Sequence, residues 1–513
     1  MKTVGNLFAA AFPSGRTLGG MASSEGRSVP RRAGNVLAAS FAALGLLAFA
    51  PVKTAAQASA TNTLVTITVE AGARQKFAGL GASVFPWTTA ALYKTQVTPA
   101  QDKEMVRLLW KDAHFRSVRV WFHPNDYAPK PGERRVAFYV DGYVKTGKFA
   151  GVIAAGAKDF VLAPNEIPDY MSDGKGFIRQ EAIADFAALL ADFIQDFKKE
   201  TGVLINVAGI LNEPNDRPVR FSVAQWPIMI REFRQALDKR NLRSVKIIAP
   251  ESANCGADAY AVVDAIKSDP LAWKALDGIA THSYNNAATA DMMRRAVGKA
   301  YWITEAGGMS DTDEGAGDAV QAASITSRLL NDLNHGVTNW QFFIGAEQSD
   351  PRGNTGRVLK FDLAPYKLTV LQKYWYLKSV SDAIGIGAVL RHCVSDLEGE
   401  MTYTYGKKPR VTVAAAKNAD GTWGIGVSNF TSDYFTDPKT DKWYREQGGA
   451  AAETFDITIK IAELANKDAV IFAARRSNSG VNAVSIAPVV MRHGTLTLHN
   501  VSPLDCIALR SLR

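Results

Sequence analysis

The sequence is poor in the groups that bind metals or staple a chain. Among its 513 residues are three cysteines and seven histidines. Cys255, Cys393 and Cys506 are odd in number and lack metal-type spacing, so neither a disulfide framework nor a zinc ribbon follows. They fit either a Cys393–Cys506 bridge after export or three isolated buried thiols. No H-E-x-x-H and no C-x-x-C occurs, so no metal site is expected. Gly142–Lys148 matches the first seven positions of a P-loop, but Phe149 stands where the magnesium-binding Ser or Thr belongs. Gly79-Leu80-Gly81 lacks the third glycine of a dinucleotide fingerprint. Long polar or low-complexity tracts are also missing, which excludes disorder as the general state.

The excess of basic residues is concentrated at the start. The formal charge is +9, but six Lys/Arg and one acid, Glu25, lie in residues 1–60, so the remainder carries +4. Arg31 and Arg32 precede an apolar run, Val36–Val52, which Ala56-Gln57-Ala58 and Ala58-Ser59-Ala60 follow. A basic flank, a short apolar core and an A-x-A-like site predict a signal peptide and a secreted or periplasmic protein. The run is shorter than the roughly 20 residues of a membrane span, and Pro51 ends it. No stable membrane anchor is expected once it is cleaved. Met21 offers a later start, and the arginine pair permits a twin-arginine route. With the basic balance assigned to export, nucleic-acid binding loses its main support.

What the chain has is alternation. Strand-like runs fall at Lys76–Ala82, Ser117–Phe122, Asp159–Ala163, Leu204–Leu211, Val245–Ala249, Gly278–Thr281, Ala300–Thr304 and Val337–Phe343. Most lack period-two patterning, as strands covered on both faces do. Helical stretches lie between them: Thr98–Trp110, Ile178–Glu200, Ser222–Arg240, Ala257–Lys267, Asp291–Val297 and Ala319–His335. Thr98 and Pro99 read as a cap and first turn, and Gly202 as a stop. Eight alternations predict a (β/α)₈ TIM barrel over residues 76–385, closing with a helix at Lys367–Ile384.

Beyond it the texture changes. Residues 386–513 read as short strands at Thr402–Tyr405, Val411–Ala416, Trp423–Ser428, Phe455–Ile461, Ala469–Arg475 and Thr495–Val501. Asp420-Gly421 forms a hairpin turn between two of them. This predicts a fused C-terminal β-sandwich. An alternating strand at Leu64–Glu70, within residues 61–75, is expected to join that side domain.

Chemistry in such barrels sits where strands end at the carboxyl face. Strand two ends in Arg119-Val120-Trp121-Phe122-His123, strand four in Asn212-Glu213-Pro214, strand six in His282-Ser283-Tyr284 and strand seven in Thr304-Glu305. Strand eight carries Trp340. Cleavage of a glycosidic bond needs two carboxyl groups flanking it, one to protonate the leaving oxygen and one to attack or to activate water. Glu213 and Glu305 can face each other across the barrel mouth, and a separation of roughly 5 Å would imply a covalent intermediate with retention. Arg119 and Tyr284 are placed to hydrogen-bond the Glu305 carboxylate and keep it ionised. Asn212 is placed to bind a sugar 2-hydroxyl. Trp340, Trp87 and Trp121 offer flat faces to sugar rings.

Each of these has a bland reading. Asn-Glu-Pro alone is a weak signal, Thr-Glu after a strand is commonly a surface turn, and His282 alone reads as a satisfied core histidine. Tryptophans pack cores, and Arg119 reads as an ion-pair partner. Their order along successive strand ends is what carries the argument.

At these residues the sequence resembles clan A glycoside hydrolases, and family 30 most closely. Gln75–Ser83 is similar to that family's F-x-G-F-G-A/G-S opening, and Asn212-Glu213-Pro214, His282-Ser283-Tyr284 and Trp302-Ile303-Thr304-Glu305 match its later strand ends. The resemblance runs from about residue 64 to the C-terminus. It implies Glu213 as acid/base, Glu305 as nucleophile, retention, a carbohydrate substrate and no cofactor. The chain departs from the family at strand three. A Trp-Ser-Pro-Pro-Ala-Trp-Met-like segment is here Ala163–Met171, which keeps Pro164, Pro168 and Met171 but carries Asn165 and Glu166 in place of the aromatic. That removes a subsite wall and adds a carboxylate. The side domain has no evident counterpart of the arginine motif of glucuronoxylan-specific members. Families 39 and 5 would preserve the same two glutamates. A barrel that binds carbohydrate without turnover, or a transglycosylase using the same pair, are the alternatives to a hydrolase.

Overall fold

The computed structural model describes residues 62–83, 98–137, 148–307, 317–348, 357–404, 408–440, 442, 445 and 448–513. The signal-peptide segment, Trp87 and most of the P-loop-like run lie outside them.

Eight parallel strands close into a barrel: Gly79–Ser83, Ser117–Phe122, Asp159–Pro164, Val207–Ala208, Lys246–Ser252, Gly278–Ser283, Ala300–Ala306 and Asn339–Phe342. They are called barrel strands one to eight below. Strand one pairs with strand eight, Gly79 opposite Asn339, which completes the ring. Every residue of strands three and six is buried, because helices cover the outside and side chains fill the inside. Alternation is absent from the sequence for that reason.

The helices form where local signals agree with the apolar stripe. Thr98 caps Pro99–Val106 in a capping box with Gln101, and a π-helical segment, Arg107–Asp112, follows. The helix Ile183–Thr201 buries Phe186, Leu190, Phe193 and Phe197 on one face. Phe193 stacks on Phe122 of barrel strand two with ring centroids 3.9 Å apart. Each such side chain contributes roughly 1.5–3 kcal/mol from burial, and their three- and four-residue spacing fixes which face meets the barrel.

Some elements differ from the sequence reading. Strand four, expected over Leu204–Leu211, is a two-residue ladder at Val207–Ala208. Past it Gly209 and Asn212 still donate to strand three, at Leu162 O (2.9 Å) and Pro164 O (2.7 Å). The side chain of Glu251 lies against Gly209, and pairing with strand five stops at Ala208. The helix expected from Lys367 is Gln372–Ala383. The residues before it, Tyr366–Val370, pair antiparallel with Leu359–Leu363, where alternating apolar residues favour a strand. Thr402–Thr404 lies in no strand, and its Tyr403 is held by the helix between barrel strands seven and eight, Gly317–Asn334. Its hydroxyl meets Ser324 Oγ at 2.8 Å and its ring lies 4.2 Å from the Arg328 guanidinium.

The side domain is two sheets. One has the order Cys393–Ser395, Thr63–Val69, Phe455–Ile461, Thr495–Val501. The other runs Val389–Arg391, Val411–Lys417, Trp423–Asn429, Cys506–Ser511, Val470–Ser477, Val484–Met491. Val65, Ile67, Ile457 and Ile459 from the first meet Val413, Ile425, Val427 and Leu509 from the second in one apolar core, so the pair is a β-sandwich. All three cysteines are free and buried, and burial pushes their thiols above the ordinary range. Among the described residues no helix is long and apolar enough to cross a membrane.

Candidate active site

The carboxyl ends of strands two, four, five, six and seven converge on one polar cluster. Arg119 stands at its centre, fully buried, because the third residue of strand two points into the barrel. One guanidinium nitrogen, Nη1, donates to Glu305 Oε1. The other, Nη2, donates to Asn212 Oδ1 at 2.7 Å and to Glu251 Oε1 at 3.1 Å. Taking this cation out of water opposes its charge, but Glu305 and Glu251 outweigh that and keep it firmly protonated.

Glu305 lies near the end of strand seven, where the ladder to strand eight is irregular between Ile303 and Ala306. It is 3% exposed. Its Oε2 accepts from the Tyr284 hydroxyl at 2.7 Å. Burial, together with Glu305 and Glu213, raises the Tyr284 phenol well above its ordinary value, so it remains a donor. Gly307 gives that ring its place: a Cβ there would sit 2.9 Å from Tyr284 Cε1.

Glu213 follows strand four with a left-handed backbone, φ +47°, and Pro214 opens a 3₁₀ turn, Pro214–Asp216. Its amide donates to Glu251 O at 3.0 Å. His282, completely buried, places Nδ1 3.1 Å from Glu213 Oε1 and 3.6 Å from Glu305 Oε2. With two carboxylates facing Nδ1, the proton belongs on that nitrogen. Burial pushes the Glu213 carboxyl upward, but the hydrogen bond and charge of His282, then Arg217 and Arg119, outweigh it and hold Glu213 below the ordinary glutamate value. Arg217 stands 3.6 Å from Glu213 Oε2 and is anchored on Asn212 O at 2.7 Å.

An oxygen of Glu213, an oxygen of Glu305 and a nitrogen of His282 all lie within 4.8 Å of one another. Such donors are close enough to hold a cation, although the sequence offers no metal motif. Both oxygens of Glu305 are already engaged, by Arg119 and Tyr284. The arrangement presents one carboxylate fixed from two sides and a second carboxyl group partly open to solvent, which is what displacement at a carbon flanked by both requires.

The remaining candidates separate. Trp121 stays half-buried at the mouth, 5.1 Å from the Arg119 guanidinium and edge-on to Phe343. Asn165 and Glu166 also reach the rim, and Glu166 accepts from the Asn125 amide at 3.2 Å and lies 3.5 Å from His123 Nδ1. Trp340 is a correction. It is 0% exposed, and its indole N–H donates to Asp332 Oδ2 of the helix between strands seven and eight at 2.9 Å. On strand eight its neighbour Gln341 points inward to Ser117 Oγ, so Trp340 points outward into the helix layer and offers no face to a ligand. Asn212 uses its carbonyl oxygen on Arg119, leaving its amide N–H groups as the donors for any hydroxyl.

Glu251 was missed. The sequence places strand five at Val245–Ala249, two residues short of it. The strand continues to Ser252. The available signal was a carboxylate closing a strand-like run, the same signal that marked Glu213 and Glu305.

A family model described as glycosyl hydrolase family 59 matches residues 160–358, the stretch that carries Glu213, His282 and Glu305. No curated protein matches the chain. Solved structures share the fold at low identity. A glycoside hydrolase family 30 subfamily 8 xylanase from Clostridium acetobutylicum is 16% identical with a TM-score of 0.62, covering 88% of this chain and 100% of its own. The catalytic domain of family 30 xylanase C from Talaromyces cellulolyticus is 17% identical with a TM-score of 0.65, covering 87% and 100%. A conserved exported protein from Bacteroides fragilis is 14% identical with a TM-score of 0.63, covering 87% and 100%. The family match over residues 160–358 supports a glycoside hydrolase, and the solved structures share its fold.

Proposed function

We propose that the chain is a secreted, retaining β-glycosidase in which Glu305 is the nucleophile and Glu213 the acid/base. The observation that carries this is the closeness of the two carboxyl groups, an oxygen of each within 4.8 Å of the other. Retaining enzymes hold the pair about 5–5.5 Å apart, whereas inverting enzymes leave roughly 6.5–9.5 Å for a water.

In the first step Glu305 Oε attacks the anomeric carbon as the bond to the leaving oxygen breaks, and Glu213 gives that oxygen its proton. In the second, Glu213 takes a proton from water, whose oxygen displaces Glu305 and regenerates both groups. Arg119 and Tyr284 hydrogen-bond Glu305 and keep it aimed before the first step. Asn212 donates to the 2-hydroxyl, a bond that strengthens as positive charge grows on the ring. Trp121 walls the subsite.

The family 30 resemblance at the strand ends and the xylanases of like fold support a β-linked polysaccharide or oligosaccharide as substrate. The basic and apolar leader supports export. Proton NMR of the first sugar released from a panel of β-xylan, β-glucan, β-galactan and aryl β-glycosides tests the proposal. The β-anomer is expected first; first release of the α-anomer overturns retention.

A further inference from the structure

Glu251 belongs to neither step above, yet the site is built around it. Its side chain is 0% exposed, and Oε1 accepts from Arg119 Nη2 at 3.1 Å. Its other oxygen, Oε2, is buried without a hydrogen-bond partner among the described residues. The backbone at Glu251 has φ +59°, the left-handed region, which costs a non-glycine residue on the order of 1–3 kcal/mol. Its carbonyl receives the Glu213 amide at 3.0 Å. Gly209 supplies the room, since a Cβ there would lie 1.8 Å from Oε2. A buried carboxylate with one unmet oxygen on a strained backbone is poor material for stability alone. One residue thus touches the supports of both proposed catalytic groups, Glu305 through Arg119 and Glu213 through its main chain.

We infer that Glu251 is a positioning residue for the glycosidic reaction, dividing the charge of Arg119 between two carboxylates so that Glu305 stays a strong nucleophile. The inference rests on the roles proposed for Glu305 and Glu213. Arg119 with a single carboxylate partner would hold Glu305 in a tight ion pair and weaken its attack. Glu251 meets Arg119 of strand two directly, and through it the charged and titratable groups of the site: Glu213, Asp216 and Arg217 after strand four, His282 and Tyr284 from strand six, and Glu305 from strand seven. Removing one negative charge from that set favours the ionised form of both Glu213 and Glu305. Both limbs of the kcat/KM profile then move the same way, to lower pH.

The test uses the whole protein. Labelling of wild-type Glu305 by a 2-fluoro aryl glycoside is established first, so failure of the catalytic assignment is seen separately. Glu251→Gln keeps shape and removes charge. Its expected result is both limbs displaced downward by about half a unit or more, with kcat reduced roughly tenfold or more and KM within about threefold. Glu251→Asp keeps the charge on a shorter arm; it is expected to lower kcat comparably, with limbs closer to wild type. A folded Glu251→Gln whose limbs coincide with wild type overturns the inference. Should that variant not fold, wild-type kcat in Glu251→Asp overturns it instead.

Discussion

His282 Nδ1 lies 3.1 Å from Glu213 Oε1, and that contact does most to hold the Glu213 carboxyl below its ordinary value against the upward push of burial. If Glu213 must be protonated to act, the sign follows. The basic limb of kcat/KM in the wild type falls on the acid side of the ordinary glutamate value, and activity declines as pH rises through it. Replacing His282 with Phe removes the donor and leaves burial dominant, so this limb is expected to move to higher pH by about a unit. A pH series with an aryl glycoside reads it directly, and the displacement is opposite to that expected for Glu251→Gln.

Arg119→Met removes the donor shared by Glu305, Glu251 and Asn212 and leaves two buried carboxyl groups unpaired. Breaking a buried pair in this way costs about 3–5 kcal/mol, which urea unfolding would record. Arg119→Lys is expected to recover little of the lost kcat, because an ammonium cannot reach three acceptors in the geometry of the planar fork.

Trp340→Phe separates core from subsite. It takes the buried hydrogen bond from Asp332 Oδ2, a carboxyl already pushed upward by burial. The expected loss is about 1–3 kcal/mol of stability, seen as a lower Tm, with KM unchanged. A raised KM at unchanged Tm would restore Trp340 to the sugar-binding surface.

Trp121→Ala has the complementary outcome. The ring is half-buried at the mouth, so its removal is expected to raise KM or lower kcat/KM by roughly tenfold, as for loss of one aromatic face worth about 0.5–1.5 kcal/mol or more. Tm should move less than in Trp340→Phe.

Much of the barrel was legible because eight β-like runs alternate with helical stripes, and local caps such as Thr98 agree with them. The converging group Arg119, Glu213, His282, Tyr284 and Glu305 was legible by one rule, that polar residues closing barrel strands share a rim. What escaped has physical causes. Trp340 sits one residue from the inward-facing Gln341, and a strand buried on both faces gives no pattern to tell them apart. Glu251 lay beyond the apolar run Val245–Ala249, whereas the strand itself continues to Ser252. Strand four looked longer than its ladder because its apolar run continues beside strand three after pairing with strand five has ceased.

The central claim is that Glu305 forms a covalent bond to the sugar. The most direct measurement is peptide mass analysis after inactivation with a set of 2,4-dinitrophenyl 2-deoxy-2-fluoro-β-glycosides (xylo, gluco and galacto). The account predicts one sugar per chain, attached to the peptide containing Trp302-Ile303-Thr304-Glu305, and no label in Glu305→Gln. Stoichiometric label on Glu213 or any other residue, or turnover undiminished in Glu305→Gln, would contradict it.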